Sequence, residues 1–375
     1  MKKLGIYIHI PFCVKKCGYC DFYSVKWDEE SENKYIHSAI NEIKSYNELS
    51  SKYVVDSIYI GGGTPSIINP KNLEKIISTI RCLFTVEENS EISMEANPNS
   101  LWENIKTYGE IGINRLSIGI QSLNDNILKR IGRIHNSKEA LQAIDRAISF
   151  GFENINADVM FNIPGQTVDD INDTISKLVT KQIRHISFYS LKLEEGTPMY
   201  LLKKNKKIVM PEEDLEREMY YAGRNIMEKH GLMQYEISNF SVKGYECRHN
   251  LKYWKQEEYI GIGPSAHSFL GNVRFSNPSD LTEYITSGEN GVFERNTLEE
   301  MDENDIKFEY IMLRLRLTEG LKFADFKNKF SIDFKEAYKE QIKHLTENNL
   351  IESDDDAIRL TKRGMDLSNY VFSQF

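Results

Sequence analysis

Residues 6–20 read Ile-Tyr-Ile-His-Ile-Pro-Phe-Cys-Val-Lys-Lys-Cys-Gly-Tyr-Cys, an apolar stretch that runs directly into three cysteines. The apolar, β-branched run Leu4–Ile10 predicts a first β-strand. The cysteines follow that strand in one short loop, at the spacing C-x3-C-x2-C. The pattern therefore predicts a strand whose carboxyl end carries a cluster of thiol side chains.

The same kind of apolar run recurs along the first half of the chain, followed by amphipathic stretches. Further strands are predicted at Val54–Ile60, Glu91–Glu95, Arg115–Ile120, Asn154–Met160 and His185–Leu191. The helical patterns cover Glu32–Glu48, Asn72–Leu83, Ser137–Phe150 and Val168–Lys181. Six alternations of strand and helix predict an α/β fold with a parallel sheet. Because six units are too few for a closed eight-stranded barrel, we expect a partial, open (β/α)6 barrel of the TIM type, with functional groups at the carboxyl ends of its strands.

The second half of the chain has a different pattern. We expect three parts: the partial barrel over residues 1–232, a mixed strand and loop segment over 233–297, and a smaller, mainly helical C-terminal domain over 298–375. The last part ends in a predicted helix and a β-hairpin with Asp354, Asp355 and Asp356 at its tip, and so resembles a winged helix. Since an acidic tip is repelled by DNA, we expect it to serve packing or protein contact.

Composition narrows the class of protein. The formal net charge is −9, which provides no general basic field for nucleic acid. No apolar run approaches the roughly 18 residues that span a membrane, and the apolar stretch near Met1 is too short for a signal peptide. The five cysteines are odd in number and three fall within eight positions, which does not suit a secreted disulfide framework. We therefore expect a cytoplasmic protein.

Three thiolates in one tight loop suit an iron–sulfur cluster. A cubane cluster normally takes four cysteine ligands, so three would leave one iron open, as catalytic metal sites leave a position open for substrate. Two other interpretations of the spacing remain. Zinc would need a fourth ligand, for which His9 or Asp21 is available, and a disulfide would leave one thiol unpaired.

The cysteine motif at the end of the first strand, with Tyr19 before the last cysteine, resembles the signature of the radical S-adenosylmethionine (SAM) superfamily. Residues 6–13 narrow the resemblance to the oxygen-independent coproporphyrinogen III oxidases and their relatives, and it extends into the C-terminal domain. The resemblance implies a [4Fe-4S] cluster on Cys13, Cys17 and Cys20, whose open iron is chelated by SAM. It also implies an electron donor, such as a flavodoxin or a ferredoxin, that reduces the cluster for radical chemistry.

The residues that would surround SAM fall at successive predicted strand ends. Gly61–Pro65 follows the second strand, and glycine lets the backbone approach a ligand closely. Taken singly, each residue has a structural interpretation, such as an ordinary tight turn for the glycines or a buried, paired carboxylate for Glu95. The resemblance implies that the SAM site comprises Tyr7, Tyr19, Gly62, Gly63, Thr64, Glu95, Gln121, Arg133 and Asp158. In that site Arg133 would neutralise the SAM carboxylate, and Asp158 would accept hydrogen bonds from the ribose hydroxyls.

Two functions are compatible with this resemblance: oxidative decarboxylation of coproporphyrinogen III to protoporphyrinogen IX, and heme binding by a chaperone branch that keeps the same fold. The oxidases typically have a fourth cysteine two positions after the last ligand, where this chain has Phe22. They also have a longer segment before the first strand, which here starts within five residues of Met1. These two differences favour the chaperone branch, with the oxidase as the alternative.

Residues 249–254, His-Asn-Leu-Lys-Tyr-Trp, resemble the H-N-x-x-Y-W motif of the chaperone branch. Histidine is a standard axial ligand of heme iron, so the resemblance implies that His249 binds heme, with Tyr253 and Trp254 against the porphyrin. Cys247 and His267 are weaker candidate ligands. A buried His–Asn turn that orders the 261–267 loop is the structural alternative. The implied partners are heme or a porphyrin and an apo-haemoprotein acceptor.

Overall fold

The computed structural model describes residues 1–101 and 104–375. Its strands are β1 (Lys2–Ile10), β2 (Phe12–Cys13), β3 (Val25–Lys26), β4 (Tyr53–Gly62), β5 (Thr85–Ala96), β6 (Arg115–Gln121), β7 (Asn154–Phe161), β8 (His185–Ser190), β9 (Met233–Glu236), β10 (Asn239–Ser241), β11 (Tyr259–Ile262), β12 (His267–Leu270), β13 (Val273–Ser276), β14 (Asn296–Glu300), β15 (Leu321–Lys322), β16 (Ile351–Ser353) and β17 (Ala357–Leu360). Its α-helices are α1 (Glu29–Ser45), α2 (Pro70–Leu83), α3 (Ile105–Glu110), α4 (Asp125–Arg130), α5 (Ser137–Ser149), α6 (Val168–Val179), α7 (Pro198–Lys204), α8 (Glu213–Lys229), α9 (Arg248–Trp254), α10 (Leu281–Asn290), α11 (Glu303–Leu315), α12 (Phe323–Phe330), α13 (Phe334–Ala337), α14 (Lys339–Glu347), α15 (Lys362–Asp366) and α16 (Ser368–Phe372). Short 3-10 helices span Asn47–Leu49, Pro65–Ile67 and Pro98–Ser100.

A parallel sheet in the order β1-β4-β5-β6-β7-β8 forms the core of the molecule. Its strands are rich in isoleucine, and Ile6, Ile8 and Ile10 of β1 have no exposed surface. Such strands are typical of a parallel sheet that is covered on both faces. The predicted α/β fold with a six-stranded partial barrel is therefore confirmed.

The helices that cover this sheet begin where side chains cap them. Asn136 and Thr167 each form a capping box, so α5 and α6 start at the predicted residues. Helix α1 starts three residues before the predicted Glu32, because the Asp28 carboxylate accepts a hydrogen bond from the Ser31 N–H at 2.9 Å.

The segment after residue 232 continues the barrel sheet on both sides. Strand β11 pairs in parallel with β1, and β12, β13 and β14 follow it in antiparallel order. On the opposite edge, β10 pairs antiparallel with β8 and β9 follows. Over the described residues the sheet thus has twelve strands. The predicted domain boundaries at residues 232 and 297 therefore remain a proposal.

The C-terminal part has its own apolar core, which includes Phe326, Phe334 and Leu345. A small sheet in the order β15-β17-β16 packs beside α13 and α14, and the hairpin tip between β16 and β17 is the acidic Asp354–Asp356 segment. This is the helical, winged-helix-like arrangement that the sequence predicts. Within the described residues, no helix is both long enough and apolar enough to cross a membrane.

Candidate functional site

A cavity of about 500 Å³ opens at the carboxyl ends of the parallel strands. The three motif cysteines line it together with most of the residues predicted around SAM: Tyr19, Gly62, Gly63, Thr64, Glu95, Gln121, Arg133 and Asp158. We call it the cluster cavity. The fold therefore brings residues from six separate segments of the chain to the edge of the sheet where the barrel architecture predicts them.

The cysteines are free thiols on a half-buried loop. The Cys13 Sγ lies 3.5 Å from the Thr64 Oγ1, and the Arg133 guanidinium donates to the Cys17 Sγ at 3.6 Å. Burial, together with the neighbouring Cys17 and Cys13, raises the pKa of the Cys20 thiol to about 11. Binding of a metal cluster at these thiols would therefore release their protons.

The arrangement of these thiols argues against a single metal ion. Among residues 1–101 and 104–375, no three His, Cys, Asp or Glu side chains converge as a mononuclear site requires. His9, the candidate fourth zinc ligand, has both ring nitrogens occupied, by the Tyr7 hydroxyl at 3.1 Å and the Tyr23 carbonyl at 2.9 Å. A cubane needs no such convergence, because each thiolate binds a different iron. The donor set therefore fits an iron–sulfur cluster.

The glycine turn after β4 holds the cysteine loop by backbone contacts. The Gly63 N–H donates to the Ile10 carbonyl at 2.8 Å, and the Thr64 N–H donates to the Phe12 carbonyl at 2.8 Å. A Cβ atom on Gly63 would lie only 2.4 Å from the Phe12 carbonyl oxygen. Glycine is required here because two backbone segments touch.

Two buried carboxylates face the same cavity. Glu95 accepts hydrogen bonds from the Tyr59 hydroxyl at 2.9 Å and the Gly62 N–H at 3.2 Å, and Asp158 accepts from Asn156 and Ser117. Burial, with the nearby Asp158, raises the pKa of Glu95 to about 7, and burial also raises the pKa of Asp158. A buried carboxylate that has hydrogen bonds but no ion pair favours a cationic or hydroxyl-bearing ligand. They fit the ammonium and ribose groups of SAM.

Gln121 and Arg133 lie side by side at the end of β6. Gln121 accepts a hydrogen bond from the Tyr189 hydroxyl at 3.1 Å, and its φ of 65° turns the chain away from the strand. The Arg133 guanidinium donates to the Gly119 carbonyl at 2.6 Å and to the Asn97 side chain at 2.7 Å. Arg133 thereby places one positive charge beside the cysteines.

Tyr7 is the predicted SAM residue that does not line the cluster cavity, and its contact with SAM stays a prediction. Its ring stacks on Tyr59 with centroids 6.2 Å apart, and it faces a second cavity of about 570 Å³. Other aromatic residues line this second cavity: Phe22, Tyr23, Tyr253, Trp254, Tyr259 and Phe269. We call it the aromatic cavity. Asp21 and Phe22 line both cavities, so the two spaces adjoin at the end of the cysteine loop.

His249 has a different environment from the predicted one. Its side chain has no exposed surface, its Nδ1 lies 2.9 Å from the Ser57 hydroxyl, and its Nε2 lies 2.9 Å from the Tyr253 hydroxyl. Its ring also stacks on Tyr59. Burial, followed by the nearby Lys252, lowers the pKa of His249 to about 3. Ligation of heme by His249 would require the ring to leave both partners. Its role as a heme ligand stays a prediction.

Cys247 is similarly enclosed. It has no exposed surface, and its Sγ donates to Glu91 at 3.5 Å. Burial raises the pKa of its thiol to about 12. A protonated, inaccessible thiol is a poor ligand for heme iron.

Several residues of the cluster cavity were not predicted from the sequence, namely Tyr59, Asn97, Tyr189 and Asn250. Asn97 lies two positions beyond Glu95, so its place after a strand end was a usable signal. Asn250 belongs to helix α9, far along the chain, and only the fold shows that it reaches this cavity. Helix α9 contributes Asn250 to the cluster cavity and Tyr253 and Trp254 to the aromatic cavity.

Comparison with known proteins identifies the class. The model of the radical SAM superfamily matches residues 7–178, and the model of the HemN C-terminal domain matches residues 301–367. The solved structure of coproporphyrinogen III oxidase (HemN) from Escherichia coli superimposes with a TM-score of 0.85 at 20% identity, over 100% of this chain and 90% of that one. The chain is thus a member of the radical SAM superfamily with the HemN fold.

Curated relatives narrow the family. The heme chaperone HemW of Bacillus subtilis is 37% identical over 98% of this chain and 98% of its own length. HemW of Lactococcus lactis is 35% identical over 100% and 97%, and HemW of Escherichia coli is 33% identical over 86% and 85%. The chain therefore belongs to the HemW family, within the relatives of the coproporphyrinogen III oxidases. Its superfamily implies a [4Fe-4S] cluster and SAM, and when bound they supply reductive cleavage of SAM.

Proposed function

We propose that this protein is a heme chaperone, which binds heme beside a SAM-binding [4Fe-4S] cluster and delivers it to acceptor haemoproteins. The observation that carries the proposal is the aromatic cavity that adjoins the cluster cavity at Asp21 and Phe22. Its volume falls within the range of about 300–1,000 Å³ that is usual for small-molecule sites. The names of the full-length HemW relatives support the same conclusion.

In this proposal Cys13, Cys17 and Cys20 hold the cluster, and Arg133 orients the Cys17 thiolate and offers its charge to the SAM carboxylate. Glu95 accepts the SAM ammonium, and Asp158 accepts the ribose hydroxyls. Residues Tyr19, Gly62, Gly63, Thr64 and Gln121 complete the walls. Tyr7 acts indirectly, since it supports Tyr59, whose hydroxyl donates to Glu95.

The test is an anaerobic titration of the cluster-loaded protein with heme, followed by addition of an apo-haemoprotein such as apo-myoglobin. We expect saturable binding of about one heme per chain and transfer to the acceptor at a rate that depends on protein concentration. Heme mixed with albumin provides the control for passive release. A protein that binds no heme, or that releases it only at the control rate, would refute the proposal.

A coproporphyrinogen oxidase is the second candidate, because the HemN fold covers the whole chain. Phe22 argues against it: the oxidases have a cysteine at this position, whereas here an aromatic side chain with 62% of its surface exposed stands between the two cavities. The discriminating assay supplies reduced, cluster-loaded protein with SAM and coproporphyrinogen III. Multiple turnovers to protoporphyrinogen IX would favour the oxidase function over the heme chaperone function.

The remaining partners follow from this function. Reduction of the cluster requires a low-potential donor, such as a flavodoxin or a ferredoxin. The acidic wing tip at Asp354–Asp356 is exposed and suits protein contact, not nucleic acid. We place this function in the cytoplasm, where a free-thiol cluster loop stays reduced.

A further inference from the structure

We propose that His267 is the residue that ligates the heme iron, inside the aromatic cavity. This inference rests on the proposed heme-binding function and adds the position and the ligand. The cavity is lined by two histidines, His9 and His267. The hydrogen bonds of the two side chains show which of them has a ring nitrogen available for the heme iron.

His9 has no free nitrogen, because Tyr7 and the Tyr23 carbonyl occupy both sides of its ring. The His267 side chain, by contrast, is exposed and has no hydrogen-bond partner among the residues that the structure describes. Burial of part of the ring, with the Arg274 guanidinium nearby, lowers the pKa of His267. The imidazole is therefore neutral at physiological pH and has a lone pair for a metal.

His267 is held rigidly by its backbone. It is the first residue of β12 and pairs with Ser276 of β13. A Cβ on Gly261 would lie 2.3 Å from the His267 carbonyl oxygen, so β11 and the turn before β12 are in close backbone contact. The pairing of β12 thus fixes the position of the His267 backbone on a strand of the scaffold.

The walls of the cavity suit a flat, apolar macrocycle with a polar edge. Tyr253 and Tyr259 meet edge to face with centroids 4.7 Å apart, and the Arg274 guanidinium lies 5.2 Å above the Phe269 ring. Such locked rings form an apolar surface at low entropic cost.

The polar edge can contact the heme carboxylates. Arg274 is the arginine that lines this cavity, together with the acidic Asp21 and Glu257. It is held in place by ion pairs with Glu309 and, at 3.9 Å, with Glu299. A guanidinium is a donor that suits carboxylates.

The experiment titrates ferric heme into the cluster-loaded protein under anaerobic conditions and records the affinity, the Soret band and the EPR spectrum of the heme. The variants are His267→Ala, His267→Met and His249→Gln. The control is His37→Ala on the exposed side of α1. Cluster content and thermal unfolding are measured for each.

We expect His267→Ala to weaken heme binding about tenfold or more, since even substitutions behind a metal ligand cost about tenfold, and to lose the imidazole signature. His267→Met should retain heme with a changed ligand spectrum, which also decides the question if the alanine variant folds poorly. His37→Ala should keep the wild-type affinity and spectrum, and His249→Gln should keep the imidazole signature even where loss of its contacts with Ser57 and Tyr253 lowers the affinity.

Wild-type spectra and affinity in both His267 variants would overturn the assignment while leaving the heme-binding function intact. Loss of the imidazole signature in His249→Gln alone would overturn it in favour of His249. A wild-type protein that binds no heme would refute the function itself and, with it, this ligand.

Discussion

Substitution of Gly63 by alanine tests whether the glycine turn positions the cysteine loop. The added Cβ would lie 2.4 Å from the Phe12 carbonyl oxygen, 2.9 Å from its carbon and 3.0 Å from the Ile10 oxygen. All three are backbone atoms, which cannot rotate away as a side chain can. Phe12 directly precedes Cys13, so any relief of the clash moves a cluster ligand.

The size of the effect follows from these distances. The Phe12 oxygen must retreat by about 0.6 Å before the contact reaches 3.0 Å, a separation below which real Cβ contacts are essentially never found. That movement strains the 2.8 Å hydrogen bond from the Thr64 N–H to the same oxygen. Overpacking of this kind costs about 1–3 kcal/mol.

The assay combines urea unfolding of the protein before reconstitution with iron and sulfide analysis after it. We expect Gly63→Ala to lose about 1–3 kcal/mol of unfolding free energy and to bind less iron per chain. Gly109→Ala in helix α3 is the matched control: its Cβ would lie 3.8 Å from its nearest neighbour, the Phe152 ring, so it should gain about 0.5–1 kcal/mol. Wild-type stability and iron content in Gly63→Ala would refute the reasoning.

Three further predictions concern other contacts. With its pKa raised to about 7, Glu95 is about one-tenth ionised at pH 6 and about nine-tenths at pH 8, so SAM affinity should rise about tenfold over that interval. Anaerobic titration with SAM should show a weaker dependence of affinity on pH for Glu95→Gln. An equally steep dependence in that variant would contradict the pairing of Glu95 with the SAM ammonium. His249→Ala leaves two buried partners unpaired and opens a cavity, which should lower the free energy of urea unfolding by about 2–5 kcal/mol. Substitution of the exposed His37 by alanine should change it by less than about 0.5 kcal/mol. Equal effects of the two substitutions would count against a structural role for the buried His249. Asp366→Ala removes a partly exposed ion pair with Arg217 at 2.5 Å and a hydrogen bond from the Tyr221 hydroxyl at 2.8 Å, so we expect a loss of about 1–2 kcal/mol; a loss well above this in the same assay would mean that the contact between α8 and α15 is stronger than these two interactions.

The fold was predictable because its signals are local. Strands β1, β6 and β7 are largely buried on both faces and therefore appear in the sequence as short apolar runs. The same holds for the cysteines, Glu95 and Asp158, since a residue near the carboxyl end of a parallel strand faces the shared edge whatever the rest of the chain does. The start of α1 was missed because one cap residue, Asp28, extends the helix beyond its periodic part.

The two cavities were harder to predict because they depend on contacts across the chain. Tyr7 is predicted beside SAM, and the structure stacks it on Tyr59 of the neighbouring strand, which lines the cluster cavity. The environment of His249 depends on Ser57, 192 residues earlier in the chain. His267 was the weaker candidate from sequence, since nothing local shows which histidine keeps a free nitrogen. Only three-dimensional packing separates the buried imidazole from the exposed one.

The geometry of helix α9 explains the spacing of the histidine and the tyrosine in the H-N-x-x-Y-W motif. Residues four apart share a helix face, which lets the His249 Nε2 and the Tyr253 hydroxyl meet at 2.9 Å. His249 also stacks on Tyr59, whose hydroxyl donates to Glu95 in the cluster cavity. One buried imidazole therefore supports a wall of each cavity. The two cavities therefore share supporting contacts that run through helix α9.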